Sequence, residues 1–98
     1  MEIKKSQDGS KLEIAIIGRL DTTTAPDLEK EIKEGLSGIT DLVFGFEKLE
    51  YISSAGLRVL LTAQKIMNKQ GSMVVRGASE TIKEIFEVTG FSDILNIE

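Results

Sequence analysis

The chain has 98 residues, with 12 Lys and Arg against 16 Asp and Glu for a net charge of −4, and is 41% hydrophobic and 29% charged. That balance describes one small folded domain, able to bury roughly 65% of the surface its unfolded chain exposes, rather than a disordered segment. The absence of cysteine and histidine excludes disulfides, thiolate or imidazole metal sites and Ser-His-Asp or Cys-His catalysis, and the acidic balance argues against a nucleic-acid binder, which carries a basic face.

Met1 to Ser6 predicts a weak strand and Asp8-Gly9 a turn. Leu12, Ile14 and Ile16 then alternate with Glu13, Ala15 and Ile17, which predicts a strand over Lys11 to Gly18 and a hairpin between the two. The opening residues contain no apolar signal core. The densest apolar runs, Ile14 to Ile17 and Val59 to Leu61, are too short to cross a bilayer, so no membrane insertion and a cytoplasmic location are expected.

In Asp21-Thr22-Thr23-Thr24-Ala25-Pro26-Asp27, Thr24 with Asp27 three residues on predicts a capping box, and Pro26 suits a first helical turn. The helix that follows carries Ala25, Leu28, Ile32 and Leu36 on one stripe and ends at Gly35 and Gly38. Leu42-Val43-Phe44 predicts a strand continuing to Phe46, and Lys48 to Ile52 a connecting loop.

Tyr51-Ile52-Ser53-Ser54-Ala55-Gly56-Leu57-Arg58 is the most informative stretch. Two hydroxyls stand where a loop becomes a helix, a position that serine favours because its oxygen accepts from an unpaired first-turn amide. The same helix end attracts anions, so a phosphate added to a serine there is electrostatically welcome. Ala55 and Gly56 leave the backbone bare for a close approach, which together predicts a modifiable docking site rather than an active site. The helix turns Val59, Leu60, Ala63, Ile66 and Met67 inward and Arg58, Thr62, Lys65 and Lys69 outward, and Gly71 stops it.

Met73 to Val75 predicts a further core strand. Ser79 caps a last helix with the stripe Ile82, Ile85, Phe86 and Thr89, closed by Gly90 in a left-handed position with Phe91 folding back. Ile94, Leu95 and Ile97 form either a short helix or an edge strand. Strands alternating with amphipathic helices predict an α/β domain with parallel, right-handed crossovers. No phosphate-cradling G-x-x-x-x-G-K-[ST] or G-x-G-x-x-G occurs among the nine glycines, and the carboxylates are spread along helix faces and turns. No enzyme, cofactor or metal site is expected.

Gly18-Arg19-Leu20-Asp21, the first helix, Leu42 to Phe46, Tyr51 to Leu57, Val74-Val75 and Ile85 to Phe91 together resemble a STAS domain of the bacterial anti-sigma-factor antagonist type. The resemblance covers nearly the whole chain. It implies a mixed four- to five-stranded sheet built from consecutive β-α units with helices mainly on one side. The motif before the second helix usually reads hydrophobic-Asp-Ser-(Ser/Thr/Ala)-Gly-Leu, with the serine after the aspartate as phosphoacceptor. On Gly56-Leu57 that role falls to Ser54, with Ser53, the second candidate, in the aspartate position. Gly45 departs from the family too, since many relatives carry an acidic residue there, whereas Asp21 matches the acidic residue of the first β-α loop.

The resemblance implies partner switching. The unphosphorylated domain binds an anti-sigma factor that has a histidine-kinase-like ATP-binding fold and also acts as the serine kinase; phosphorylation of Ser54 breaks the complex, and a metal-dependent serine phosphatase resets it. Asp21, Thr22, Thr23, Ser53, Ala55, Gly56, Arg58 and Thr62 are then the partner-binding residues, Arg58 being the outward residue best placed to touch a partner or a phosphate. Two other readings share the fold: a scaffold subunit of a transport or signalling complex that is never phosphorylated, and a small-ligand or nucleotide-binding module.

Overall fold

The computed structural model describes residues 1–98, in which β1 (Glu2–Asp8) turns at Gly9 and Ser10 into the long β2 (Lys11–Leu20). There follow α1 (Ala25–Gly35), β3 (Asp41–Gly45), β4 (Leu49–Ile52), α2 (Ser54–Gln70), β5 (Ser72–Arg76), α3 (Glu80–Val88) and a 3-10 turn over Phe91–Asp93. The five-stranded sheet runs β1-β2-β3-β5, with β4 paired to the end of β2. Only the β1–β2 hairpin is antiparallel, as the turn at Asp8-Gly9 predicts; the crossovers are parallel.

The register explains the core. Leu12, Leu42 and Met73 lie side by side across three strands, and Ile14, Phe44 and Val75 form the next row; all six are buried. On this face α1 places Leu28 and Ile32, α2 places Leu57, Leu60, Ala63 and Met67, and α3 places Ile82 and Phe86, all in one cluster. Of the residues alternating with them, Glu13, Ala15 and Ile17 on β2 and Val74 on β5 are exposed or half-buried, and Val43 on β3, between β2 and β5, is buried; the helices cover one side of the sheet. Burial of a side chain such as Phe44 or Phe86 contributes about 1.5–3 kcal/mol. It is this packing, more than intrinsic propensity, that holds helices of 9 to 17 residues.

Four local features differ from the sequence reading. Lys48 to Ile52 is not all loop: Leu49–Ile52 is β4, parallel to Gly18–Leu20 and reached across a register shift between Gly18 and Arg19. Thr24 makes no capping bond to its own helix. Its hydroxyl instead accepts from the Asp21 amide at 2.8 Å and donates to the Arg19 carbonyl at 2.9 Å, because Asp21, three residues before, competes for it. Thr89 lies outside the buried stripe and is exposed, its hydroxyl donating to the Ile85 carbonyl at 2.6 Å. The tail is both things in succession, a 3-10 turn and then a single parallel bridge from Ile97 to Val75 at the sheet edge.

The remaining boundaries follow their chemistry. Gly90 has φ 81° and the half-buried Phe91 packs on the core, the left-handed stop expected after α3. Gly71 ends α2 where a Cβ would collide with the Thr40 carbonyl. The Glu47 side chain lies over Gly45, its Oε2 3.2 Å from where a Cβ at 45 would stand. An acidic group thus reaches the end of β3 from two residues further along. No helix is long and apolar enough to cross a membrane.

Candidate functional site

Strands β2 and β4 end side by side. Leu20 and Ile52 are register partners, and the Ser53 amide donates to the Leu20 carbonyl at 2.9 Å. The next residues of each strand, Asp21 and Ser53, therefore leave the sheet together at its carboxyl end, where parallel strands present loops and helix starts.

The two serines have different environments. Ser53 is the N-cap of α2 in extended backbone (φ −96°, ψ 175°); its Oγ accepts from the Gly56 amide at 3.3 Å and its carbonyl from the Leu57 amide at 2.9 Å. Ser54, the first helical residue, is exposed, and its hydroxyl makes no hydrogen bond within the chain. Four amides begin every α-helix without helical partners, and their partial positive charge lies at Ser54. No acidic residue occupies the first turn of α2 to offset it.

Asp21 organises the adjoining loop. Its Oδ1 accepts from the Thr23 hydroxyl at 2.8 Å, the Thr23 amide at 3.0 Å and the Thr24 amide and hydroxyl at 3.2 Å each. The Thr23 hydroxyl is the main reason its pKa lies below the ordinary carboxylate value; partial desolvation opposes this, and the Thr23 and Thr24 amides and Thr24 hydroxyl add to the lowering. Arg19 sits 3.7 Å from Oδ2 and stacks over the Tyr51 ring at 4.3 Å, joining neighbouring positions of β2 and β4.

Two depressions flank the start of α2. One, of about 140 Å³, lies towards α1 and is lined by Thr22, Ala25, Pro26, Glu29, Ala55, Arg58 and Val59. The other, of about 280 Å³ and mostly apolar, lies towards the end of α3 and is lined by Ser54, Leu57, Arg58, Leu61, Thr89 and Phe91. Arg58 is exposed and belongs to both.

The structure thus gathers Asp21, Thr22, Thr23, Ser53, Ser54, Ala55 and Arg58 at one end of the sheet. Gly56 is buried and faces inward against Leu20, so its close approach is to its own core. Thr62 stands one turn beyond Arg58, its hydroxyl donating to the Arg58 carbonyl at 3.1 Å, and lines neither depression. The sequence reading left out Pro26 and Glu29 on one side and Thr89 and Phe91 on the other. Thr89-Gly90-Phe91 carried a helix-stop signal, but nothing in it shows that the stop lands beside Ser54. No group of three or more acidic side chains is arranged to hold a metal ion.

Comparison with known proteins matches residues 2–98 to the STAS domain model. The anti-sigma-B factor antagonist of Listeria monocytogenes is 32% identical over 100 residues, covering 96% of this chain and 84% of that protein. Among solved structures, the anti-sigma factor antagonist SpoIIAA in its unphosphorylated form superposes with a TM-score of 0.79 at 16% identity, over 99% of this chain and 87% of that one. The Bacillus cell fate determinant SpoIIAA in its phosphorylated form gives 0.78 at 17% identity, over 99% and 91%. At those identities the structural likeness speaks to the fold.

Proposed function

This chain belongs to the STAS domain family, and from that premise we propose that it is an anti-sigma factor antagonist switched off by phosphorylation of Ser54. The observation that carries the reading is the contrast between the serines: Ser53 has its hydroxyl engaged in capping α2, whereas Ser54, the first residue of α2, presents an exposed, unbonded hydroxyl. In the unmodified state the partner is an anti-sigma factor, which seats on the face formed by the Asp21 to Thr23 loop, the first turn of α2 and Arg58. Such a partner, with an ATP-binding fold of the histidine-kinase type, is also the serine kinase, and a metal-dependent serine phosphatase restores the hydroxyl.

The physics is that of an interface switch. A phosphate adds about −1.5 to −2 charges at neutral pH, and at the start of α2 it gains about 0.3–1 kcal/mol from the helix dipole. The fold therefore tolerates it. At a docked surface the same group becomes a charge that the partner must desolvate, and an uncompensated buried charge costs about 3–5 kcal/mol, enough to release a complex. SpoIIAA, whose fold this chain shares, has been solved with and without a phosphate, in keeping with a domain that survives modification.

The test is to incubate the protein with ATP and the serine kinase encoded nearest its gene, then to map the product by mass spectrometry and measure binding to that kinase. The expected result is one phosphate on Ser54 and loss of the complex, with far-UV circular dichroism unchanged. A phosphate placed elsewhere, or a complex that persists with Ser54 modified, overturns the reading.

A further inference from the structure

We propose that Arg58 transmits the modification state of Ser54 to the surrounding surface: when a phosphate is added, the guanidinium one turn along α2 folds back onto it, leaving the wall of the smaller depression and reshaping that of the larger one, which Ser54 shares. The proposal rests on the reading of Ser54 as the phosphoacceptor and adds how the modification is read. Residues four apart on a helix lie one above the other, close enough for side chains to pair, and Arg58 follows Ser54 by four. It is also the only charged side chain on α2 before Lys65.

Its surroundings leave it free for this role. Of the three arginines, Arg19 pairs with Asp21 and Arg76 with Glu98, whereas Arg58 has no carboxylate within 4.0 Å. The acidic groups that face this end of the molecule are committed elsewhere. Glu29 of α1, across the smaller depression, pairs with Lys33 at 3.6 Å, and Asp21 is held by Thr23, Thr24 and Arg19. A planar guanidinium with five donors matches a phosphate's oxygens, and such charge-assisted bonds are about twice as strong as neutral ones. Because Arg58 lines the depression towards α1 and the one towards α3, a single side-chain movement alters the surface on both sides of Ser54.

The experiment installs phosphoserine at position 54 during synthesis, so that no kinase is needed, in the parent protein and in the Arg58→Gln and Arg58→Lys variants. Phosphorus NMR then follows the titration of the phosphate, whose second pKa is about 6 in a free chain. A pairing cation lowers that value, so Arg58→Gln is expected to raise it by roughly 0.15–0.4 units relative to the parent, and Arg58→Lys to recover part of the difference. Amide shifts caused by the phosphate are expected to reach Thr22 and Ala25 on one side and Thr89 and Phe91 on the other in the parent, and to stay within the first turn of α2 in Arg58→Gln. Identical titration of the parent and Arg58→Gln overturns the proposal. The kinase assay alone decides whether Ser54 is the natural acceptor, so the two ideas fail separately.

Discussion

Gly56 lies so close to Leu20 that a Cβ at position 56 would stand 2.7 Å from the Leu20 Cγ, 2.9 Å from the Ile52 Cγ1 and 3.0 Å from the Leu20 carbonyl oxygen. The first turn of α2 is thereby pressed against the ends of β2 and β4, which fixes where Ser54 emerges. Gly56→Ala has to push the helix start outward or strain the Leu20 backbone, and overpacking of this kind costs about 1–3 kcal/mol. Urea unfolding is expected to show a lower midpoint with an unchanged slope. A midpoint equal to the parent's would mean the contact is easily relieved.

The two serines are expected to separate cleanly. Ser53→Ala removes the bond to the Gly56 amide and should cost about 0.5–2 kcal/mol while Ser54 remains open to modification. Ser54→Ala removes an exposed, unbonded hydroxyl and should stay within about 0.5 kcal/mol of the parent, yet give an antagonist that cannot be switched off. Ser54→Asp carries less charge than a phosphate and should release the partner only in part. Chemical denaturation and binding measured on the same three proteins check this; equal binding by parent, Ser54→Ala and Ser54→Asp after kinase treatment would remove Ser54 from the switch.

Asp21 gives a pH dependence with a definite sign. Its pKa is lowered in the folded state, chiefly by the Thr23 hydroxyl. Its contribution to stability is therefore complete above the unfolded-state value of about 3.9 and disappears as pH falls from there through the lower folded value. Stability curves of the parent and Asp21→Asn should run parallel between about pH 6 and 8 and converge in acid. A carboxyl carbon titration showing Asp21 at or above the ordinary value would contradict this.

Gly71→Ala is expected to be among the most damaging substitutions outside the hydrophobic core. Its Cβ would meet a backbone carbonyl, that of Thr40, which also accepts from the Ser72 amide at 2.9 Å. Neither group can rotate away, so a loss of about 3 kcal/mol or more is expected, seen as a lower melting temperature.

The order of elements, the buried stripes and the stop at Gly90 were legible because each rests on local periodicity or a single backbone requirement. Strand β4 was not. Leu49 and Ile52 are buried while Glu50 and Tyr51 are exposed, so its four residues show no alternation, and its pairing depends on a register shift between Gly18 and Arg19, on the far side of α1 and β3 in the chain. Thr24 misled because a carboxylate stands three residues to either side, and only the folded loop shows that Asp21 takes the hydroxyl. The serine-led start of α2 was legible as a helix start and as the candidate site, and Asp21 could be matched to its neighbourhood by resemblance. The α3 side of the same surface was hidden, since no spacing in the chain brings Thr89 and Phe91 to Ser54.

The ten-residue β2 bonds to β1, β3 and β4, and its last carbonyl holds the Ser53 amide. The segment beneath the serines is therefore anchored to the most interconnected strand of the molecule, and should exchange its amide hydrogens only when the whole domain opens. A visiting protein meets a preorganised face that surrenders little entropy on contact. Association is then expected to approach the speed set by diffusion and orientation, which would leave the lifetime of the complex as the quantity for a phosphate on Ser54, as proposed, to adjust.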